Sequence, residues 1–396
     1  MFWWARRHSR TYDADVAVVG AGPAGSTTAK EIAKKGYIVI LIEKDAFPGE
    51  KNVCAGGIDR VSFQSFNLPE EIVEKSISKC LFHFPWHTYH SDIEQVSVQR
   101  NVFDRFLAQE ATKEGAQLLV SSLATDVARS RNGITLGFRD RLTGETHKVK
   151  AKLVVFADGP NTLAFTTLGI GFGGKSSRAF SAIYEIEWKN NPFKFFEHFF
   201  DRNVSPWGYG WIFPKRDVLN VGVMCLMSKV HGNIKKNLDF LMNKHPVASE
   251  KLAGRPVLRF AADMIPLHHA NKICGDRVLV VGDAAGMVDP IWGAGISYAI
   301  KGGILAGKVA VRALEENTFN ETYLSQFERE WKKEEPFRSI TRSQLLLTLS
   351  LKYWRLDKNA YIRLAFALQT FEALKSKVYR LVGPNNSKSA TDKPVG

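Results

Sequence analysis

The N-terminal part of the chain has the pattern of a strand, a turn and a helix followed by a second strand. Apolar residues predict a first strand at Val16–Val19, a helix from about Ala24 to Lys35 and a second strand at Ile38–Ile42. This order predicts a βαβ unit, in which two parallel strands are joined by a crossover helix. The N-terminal part of the chain is therefore predicted to have an α/β fold with a parallel sheet.

Three glycines form the turn after the first strand, and an acid ends the second strand. Gly20, Gly22 and Gly25 have the spacing G-x-G-x-x-G, and Glu43 follows the last of them by 18 residues. The glycines permit a tight turn and let a pyrophosphate approach the N–H groups of a helix N-terminus, while the carboxylate can hold ribose hydroxyls. We therefore predict that an ADP-containing dinucleotide binds here, with Ala24 in the same turn.

Two later strands also end in polar turns. Leu153–Pro160 predicts a buried strand followed by a turn, and Asp276–Gly286 predicts another strand that ends in glycine and acid. Asp283 lies in the second turn, and a further helix N-terminus is predicted at Gly295 and Ile296. An extended FAD would use both features, with Asp283 on the ribityl hydroxyls; the alternative is a βα turn that serves packing alone.

The segments between these strands are rich in aromatic and β-branched residues separated by Gly, Asn and Pro, which favours antiparallel sheet. The predicted fold class is α/β, a Rossmann-like nucleotide-binding domain interrupted by an antiparallel-sheet domain and followed by a helical region. The predicted domains are an N-terminal extension at 1–12, the nucleotide-binding domain at 13–80 with 98–178 and 258–330, the sheet domain at 81–97 with 179–257, a basic helical region at 331–382 and a disordered tail at 383–396.

The charge balance narrows the class of partner. The formal net charge is +14 and the pI about 9.5, which favours anionic partners such as lipid, nucleic acid or an acidic cofactor. No basic recognition motif is visible, so we expect no nucleic acid. The four cysteines are widely spaced without C-x-x-C, so we expect no metal. No run approaches the roughly 18 apolar residues of a spanning helix, and we expect a cytoplasmic protein that is soluble or lies on a membrane.

The three strand-end motifs together resemble the FAD fold shared by p-hydroxybenzoate hydroxylase-type enzymes and the geranylgeranyl reductases. The resemblance implies FAD as cofactor and a role for Asp158 in the A-D-G motif and for Ala124. It also implies that Arg100, in "VQRNVFDRFLAQEA", contacts FAD. Without the resemblance, Arg100 would be interpreted as a solvated surface charge.

A second motif narrows the family. The segment "SPWGYGWIFPK" has the spacing P-x-x-Y-x-W-x-F-P, which resembles the substrate-cavity motif of geranylgeranyl reductases, above all the archaeal enzymes that saturate prenyl chains of membrane lipids. Strand alternation puts the three aromatic side chains on one face, where they would wall an apolar cavity. The alternative is that they form the core of the sheet domain. The predicted substrate-binding residues are Pro206, Tyr209, Trp211, Phe213 and Pro214.

The segment "EKNVCAGGID" places a thiol before a glycine pair. By resemblance, Cys54, Ala55 and Gly57 pass along the isoalloxazine ring, where small residues let the backbone approach a flat aromatic system. The alternative for Cys54 is a small buried hydrophobic residue. Cys54, Tyr209 and a flavin-bound water are the candidate proton donors.

These features predict an FAD-dependent reductase of isolated prenyl double bonds, acting by flavin hydride transfer and protonation. No second strand-led G-x-G-x-x-G is present, so electrons are expected from docked NAD(P)H, ferredoxin or another carrier. The segment Phe337–Arg380 contains nine Lys or Arg residues and two acids among aromatics, which favours peripheral contact with the cell membrane. The alternatives are a solvated helical cap for this segment and, for the protein, a flavin monooxygenase or a flavoprotein–quinone oxidoreductase.

Overall fold

The computed structural model describes residues 9–51, 53–169, 171–172, 177–230 and 232–353. The chain divides into two compact units, 1–347 and 348–396. The architecture below is that of the first unit. The predicted disordered tail, most of the N-terminal extension and the basic segment beyond residue 353 lie outside the described residues.

A six-stranded sheet forms the centre of the nucleotide-binding part. Its strand order is β17-β18-β11-β2-β3-β7, and all neighbours are parallel except the short β17–β18 pair. Its central strands are apolar throughout because both faces of the sheet are covered. The strands are β2 (Val16–Val19), β3 (Val39–Ile42), β7 (Gln117–Leu119), β11 (Leu153–Phe156), β17 (Cys274–Gly275) and β18 (Val278–Val280).

A smaller four-stranded sheet and three helices complete this part. The sheet has the order β1-β10-β9-β8, with β1 parallel to β10. Gly303 and Gly307 of α7 lie against α1, and a Cβ at either position would collide with Ala24 or Glu31, so the glycines let the two helices approach closely. The elements are β1 (Thr11–Asp13), β8 (Ser122–Ser130), β9 (Gly133–Asp140), β10 (Thr146–Ala151), α1 (Pro23–Ala33), α3 (Arg100–Lys113) and α7 (Ile296–Glu315).

The third and largest sheet has eight strands. Its order is β16-β12-β15-β14-β13-β5-β6-β4, antiparallel except for the β13–β5 pair. The strands are β4 (Gly57–Asp59), β5 (Val73–Phe84), β6 (His87–Val98), β12 (Arg178–Glu187), β13 (Phe195–Phe199), β14 (Gly208–Pro214), β15 (Val218–Leu226) and β16 (Val257–Pro266).

The predicted α/β class with an inserted antiparallel sheet is confirmed. The chain leaves the six-stranded sheet after β3 and again after β11, and both excursions build the eight-stranded sheet. That sheet also takes in β4, the first eight of the twelve residues of β5 and most of β16, which the sequence analysis assigned to the nucleotide-binding domain. In the segment Val73–Cys80 the apolar residues Val73, Ile77 and Cys80 are four and three positions apart, a spacing that does not match the period of two of a strand.

Of the remaining helices in the described part of the chain, α10 is long and the others have nine residues or fewer. No helix among the described residues is long and apolar enough to span a membrane. The helical pattern predicted after Gly293 is confirmed to Tyr353, and residues 354–380 lie outside the described part. The helices are α2 (Arg60–Ser65), α4 (Ala164–Leu168), α5 (Lys235–Asn243), α6 (Ser249–Leu252), α8 (Glu321–Leu324), α9 (Gln326–Trp331) and α10 (Glu335–Tyr353).

Candidate functional site

The glycine turn has the geometry that a nucleotide phosphate requires. Gly20 has φ +95°, a left-handed conformation that favours glycine, and a Cβ there would collide with the Ala157 carbonyl. A Cβ at Gly25 would collide with the Gly20 carbonyl. Gly22, by contrast, has no atom within 4 Å of its Cβ position, so the open side of the turn is at Gly22. Pro23 then begins α1 without an unsatisfied N–H of its own.

Glu43 lies at the end of β3, beside this turn. Its Oε2 accepts a hydrogen bond from Ala21 N at 2.9 Å and its Oε1 accepts one from Asp45 N at 3.0 Å. Burial raises the pKa of Glu43, and the two N–H donors oppose that shift. Both oxygens keep a lone pair, which leaves them able to accept from ribose hydroxyls.

The three predicted strand ends meet in space. Gly20 packs against Ala157, and the Cβ position of Gly282 lies 2.8 Å from the Cβ of Ala24. Asp158 Oδ2 accepts from Leu163 N at 2.8 Å, whereas its buried Oδ1 has no hydrogen-bond partner among the described residues. A buried carboxylate oxygen without a partner fits a ligand that supplies a donor.

Asp283 lies next to the N-terminus of α7. Its Oδ1 is 3.8 Å from the Cβ position of Gly295, the residue that precedes Ile296 and α7. Burial raises the pKa of Asp283 to about 6, and the charge of Arg100 opposes the shift. The carboxylate and the helix N-terminus therefore share one location, as the sequence predicted. Ala124 lies in β8, whose first residue, Ser122, donates its N–H to the Glu43 carbonyl.

The loop that carries Cys54 is held by two hydrogen bonds. Gly56 N donates to Cys54 Sγ at 3.4 Å, and Asn220 Nδ2 donates to the Cys54 carbonyl at 3.2 Å. The Cys54 thiol also interacts electrostatically with the Arg100 guanidinium, which raises the pKa of Arg100. Ala55 lies between these contacts in the same loop.

Close packing explains the glycine pair Gly56–Gly57 beside Cys54, and the sequence analysis did not predict that packing. Gly56 has φ +78°, and a Cβ there would collide with the Val98 carbonyl. At Gly57 a Cβ would lie 2.9 Å from Phe213 Cε2 and 3.1 Å from Phe196 Cε2. The packing of the strand and of two phenyl rings therefore accounts for both glycines, independently of any flavin ring.

Arg100 is fixed at the N-terminus of α3. It forms a bidentate ion pair with Asp104, with Nε–Oδ1 and Nη2–Oδ2 distances of 2.8 Å. Burial acts to lower the pKa of Arg100, but Asp104 and Cys54 outweigh it and the pKa is raised, so the guanidinium stays charged. The interpretation of Arg100 as a solvated surface charge is wrong, because the side chain is 12% exposed.

The aromatic residues of the P-x-x-Y-x-W-x-F-P motif lie on one face of β14, as alternation predicts. Tyr209 donates its hydroxyl proton to the Trp292 carbonyl, and Trp211 Nε1 donates to Asn220 Oδ1 at 2.8 Å. Phe213 stacks on Phe196 with ring centroids 3.7 Å apart. Pro206 precedes the strand and Pro214 ends it. We call this side of the sheet the aromatic face; it comprises Cys80, Phe82, Phe84, Phe196, His198, Tyr209, Trp211 and Phe213.

The aromatic face is not the main core of the sheet. The opposite face packs under α5 and α6 in a separate cluster that includes Leu238 and Leu241. The aromatic face instead contacts the loop before α7 through Trp292 and the Cys54 loop through Asn220. The aromatic face of the sheet thus adjoins the loop before α7 and the Asp283 region.

Besides Asn220, the sequence analysis missed two polar residues of this region, His198 and Lys215. His198 Nδ1 lies 3.0 Å from Cys80 Sγ, and burial lowers the pKa of His198 to about 3 and raises the pKa of Cys80. A neutral ring beside a protonated thiol lets Sγ donate to Nδ1 and leaves the ring proton on Nε2. Neither residue belongs to a local motif, since strand pairing alone brings them together.

The second missed residue is Lys215, directly after the motif. Lys215 Nζ donates to Gln99 Oε1 at 2.9 Å, and the side chain is 1% exposed. Burial lowers the pKa of Lys215 to about 8. Its Nζ also lies 3.3 Å from the Cβ position of Gly56, so the Lys215 ammonium lies next to the Cys54 loop.

Comparison with known proteins gives two family profiles. One, described as FAD binding domain, matches residues 13–209, and one described as geranylgeranyl reductase catalytic domain matches residues 180–259. Digeranylgeranylglycerophospholipid reductase 1 of Methanosphaera stadtmanae is 33% identical over 334 residues, covering 79% of each chain. The digeranylgeranylglycerophospholipid reductase of Methanocaldococcus jannaschii is 34% identical, covering 81% of this chain and 82% of the relative.

The chain belongs to the geranylgeranyl reductase family. A geranylgeranyl bacteriochlorophyll reductase-like protein of Thermoplasma acidophilum has the same fold, with a TM-score of 0.76 and 23% identity over 94% of this chain and 100% of that one. As a member of the geranylgeranyl reductase family, the protein is an FAD-dependent oxidoreductase. The open side at Gly22 and the unpartnered Asp158 oxygen fit that cofactor.

Proposed function

We propose that this protein saturates isolated double bonds of geranylgeranyl chains, and that the chains belong to archaeal-type membrane glycerophospholipids. The observation that carries the proposal is the aromatic face, with Tyr209 and Trp211 joined by hydrogen bonds to the Trp292 loop and, through Asn220, to the Cys54 loop. An apolar wall beside a thiol suits a prenyl chain. The names of the relatives support the phospholipid.

An isolated alkene has no carbonyl to take up the charge of an added hydride, so reduction needs a hydride on one carbon and a proton on its neighbour. FAD, reduced and bound, would supply the hydride. Gly22 and Glu43 would hold the ADP half, and Asp283 with the α7 N-terminus would hold the ribityl and ring end. The aromatic face would exclude water from the reacting carbons.

Cys54 is the proposed proton donor. Transfer of its S–H proton to the alkene carbon would form a C–H bond and leave a thiolate. The Gly56 N–H donates to Sγ and the Arg100 guanidinium interacts with the thiol electrostatically, so both would stabilise that negative charge. Water would then return a proton to Sγ.

Tyr209 is proposed to shape the site rather than to supply the proton. Its hydroxyl proton is already donated to the Trp292 carbonyl, and burial raises the pKa of Tyr209. Proton release from Tyr209 would break that bond and leave a buried phenolate.

We further propose peripheral association with the cytoplasmic side of the cell membrane, because the substrate is a lipid and the chain carries a net charge of +14. Docked ferredoxin or NAD(P)H would reduce the flavin, since the sequence has only one strand-led dinucleotide motif.

The test is to incubate dithionite-reduced holoprotein with geranylgeranylated phospholipid, chlorophyll-type and quinone substrates and to measure product mass. We expect increments of about 2 Da per reduced bond with the phospholipid. Absence of any increment across all three classes would refute the proposed function. Increments confined to another class would refute the phospholipid assignment.

A further inference from the structure

The hairpin between β5 and β6 ends in an exposed aromatic tip. The tip consists of Phe84, Pro85, Trp86 and His87, and Trp86 is 52% exposed. The Trp86 ring stacks on Phe84 at a centroid distance of 5.4 Å, and His87 contacts Tyr89 at 4.7 Å. An exposed indole supported by a second ring is therefore held in place by packing.

Ring contacts lead from this tip to the candidate site. Phe84 stacks on Phe200 at 5.0 Å, and Phe200 contacts Tyr209 at 5.8 Å. Tyr209 in turn contacts Trp211 at 5.9 Å. The exposed tip is thus continuous with the aromatic face through this series of rings.

The lack of charged residues at the tip favours a lipid partner over an acidic protein partner. The eleven residues Leu81–Ser91 include no Asp, Glu, Lys or Arg, although the chain as a whole has a net charge of +14. A tip of this composition can enter the headgroup region of a bilayer without desolvating a fixed charge. Tryptophan suits that region because its ring is apolar and its N–H is polar. A docking site for an acidic protein donor would instead place lysine or arginine around the contact.

We propose that the β5–β6 hairpin tip is the membrane contact of this protein, with Trp86 in the bilayer interface and the ring series guiding a prenyl chain from the lipid phase to Tyr209. The proposal rests on the proposed function for the identity of the chain. The hairpin thus orients the candidate site toward the membrane that holds the substrate.

The first test compares two charge insertions in the full-length holoprotein. Trp86→Glu places a carboxylate on the tip, and Leu142→Glu makes the same change in the exposed turn between β9 and β10, where Leu142 is 83% exposed. Flotation with phosphatidylglycerol–phosphatidylcholine vesicles should show at least about a tenfold loss of partitioning for Trp86→Glu, since one buried indole is lost. Leu142→Glu should stay within about twofold. Equal partitioning of the two variants would overturn the proposal.

The second test reports on the tip itself and does not depend on the stability of a Trp86 variant. A nitrobenzoxadiazole label on His87→Cys should shift to shorter wavelength on vesicles and be quenched by brominated acyl chains, whereas a label on Leu142→Cys should do neither. A label at 87 that stays aqueous while the protein floats would overturn the proposal. So would a shift produced by a protein donor and not by vesicles.

Neither binding measurement requires turnover, so failure of this proposal is separable from failure of the proposed function. If wild-type protein gives no 2 Da product from any substrate class, the function is refuted whatever the hairpin does. If wild type does give product, the reduction rate of Trp86→Glu on detergent-dispersed substrate should be within about twofold of the wild-type rate. With substrate in vesicles, the rate of the variant should be about tenfold lower than that of wild type. Equal loss in both presentations would overturn the membrane role.

Discussion

At the scale of single residues, Cys54 differs from the other cysteines in its contacts. Cys80, Cys225 and Cys274 are buried, and burial raises the pKa of each, to about 11 for the latter two. Cys54 is half-buried, accepts a hydrogen bond from Gly56 N and interacts electrostatically with the Arg100 guanidinium. Cys54 is therefore the cysteine that adjoins Arg100 in the candidate site.

We therefore expect Cys54→Ala to keep bound FAD and to slow alkene reduction by about 10²-fold or more, the range for loss of a positioned acid. Flavin absorbance measures the first and single-turnover mass spectrometry the second. Tyr209→Phe is the control; it should slow reduction less, since it removes only the bond to the Trp292 carbonyl. Unchanged turnover in Cys54→Ala would show that the thiol serves only as a small apolar group.

Lys215 leads to a prediction about pH. Burial lowers its folded-state pKa to about 8 from 10.5, so the unfolded chain binds more protons between these values and Lys215 destabilises the fold below pH 8. As pH rises from 7 to 10, this penalty should fall by about 2 kcal/mol. Chemical unfolding of wild type and Lys215→Met at both pH values measures it: the gain of Lys215→Met over wild type should shrink by that amount at pH 10. A pH-independent difference would contradict the buried charge.

The residues that sequence reasoning identified share a local signal. Gly22 and Glu43 follow from a strand–turn–helix pattern, and Tyr209 follows from the spacing of one strand. His198, Lys215 and Asn220 were missed because their partners are Cys80, Gln99 and the Cys54 carbonyl, which pairing of distant strands brings close. No spacing within one segment encodes such contacts.

At the scale of elements, boundaries were predictable where the sequence carries a local signal and were not predictable where strand pairing sets them. The strand at Val16–Val19 was predicted residue for residue, because a fully apolar run before a glycine turn has one interpretation. The β5–β6 hairpin was not, since its two 12-residue strands carry polar residues on a solvent-facing side and its pairing shifts register twice. Bulges of this kind disturb the period of two on which strand prediction depends.

Helix α10 contacts the loop beside the candidate site. Ser343 of α10 donates to Asp289 Oδ2 at 2.8 Å, while Asp289 Oδ1 accepts from the N–H groups of Ile291 and Trp292. Asp289 thus joins α10 to the loop whose Trp292 carbonyl accepts from Tyr209. The position of α10 and the shape of the aromatic face are coupled through one carboxylate.

We expect Ser343→Ala to lower the free energy of unfolding by about 1 kcal/mol, because it removes one hydrogen bond to the buried Asp289 while Ser339 of the same helix still contacts that carboxylate. Thr341→Ala is the matched control: its hydroxyl donates only to the Phe337 carbonyl of the same helix, and its loss should cost at most about 0.5 kcal/mol. Thermal or chemical unfolding of the holoprotein measures both. Equal stabilities would mean that Asp289 holds the loop without α10.

At the scale of the whole molecule, two interruptions of one parallel sheet create the functional arrangement. The segment between β3 and β7 supplies the Cys54 loop and the β5–β6 hairpin, and the segment between β11 and β17 supplies β14. Both return to the sheet whose strand ends carry Gly22, Glu43 and Asp283. A cofactor site, a thiol and an aromatic wall therefore converge although each comes from a different stretch of sequence.

The net positive charge of the chain adds a long-range electrostatic attraction to anionic lipid to the proposed contact of the hairpin tip. With a net charge of +14, the protein should bind phosphatidylglycerol vesicles more tightly than phosphatidylcholine vesicles at low salt. Raising the ionic strength from about 0.05 to 0.5 M shortens the Debye length and should remove most of that difference. Flotation over a salt series measures it, with Trp86→Glu in parallel. If charge and tip act independently, salt should weaken both proteins by the same factor, and the residual binding at high salt should depend on Trp86.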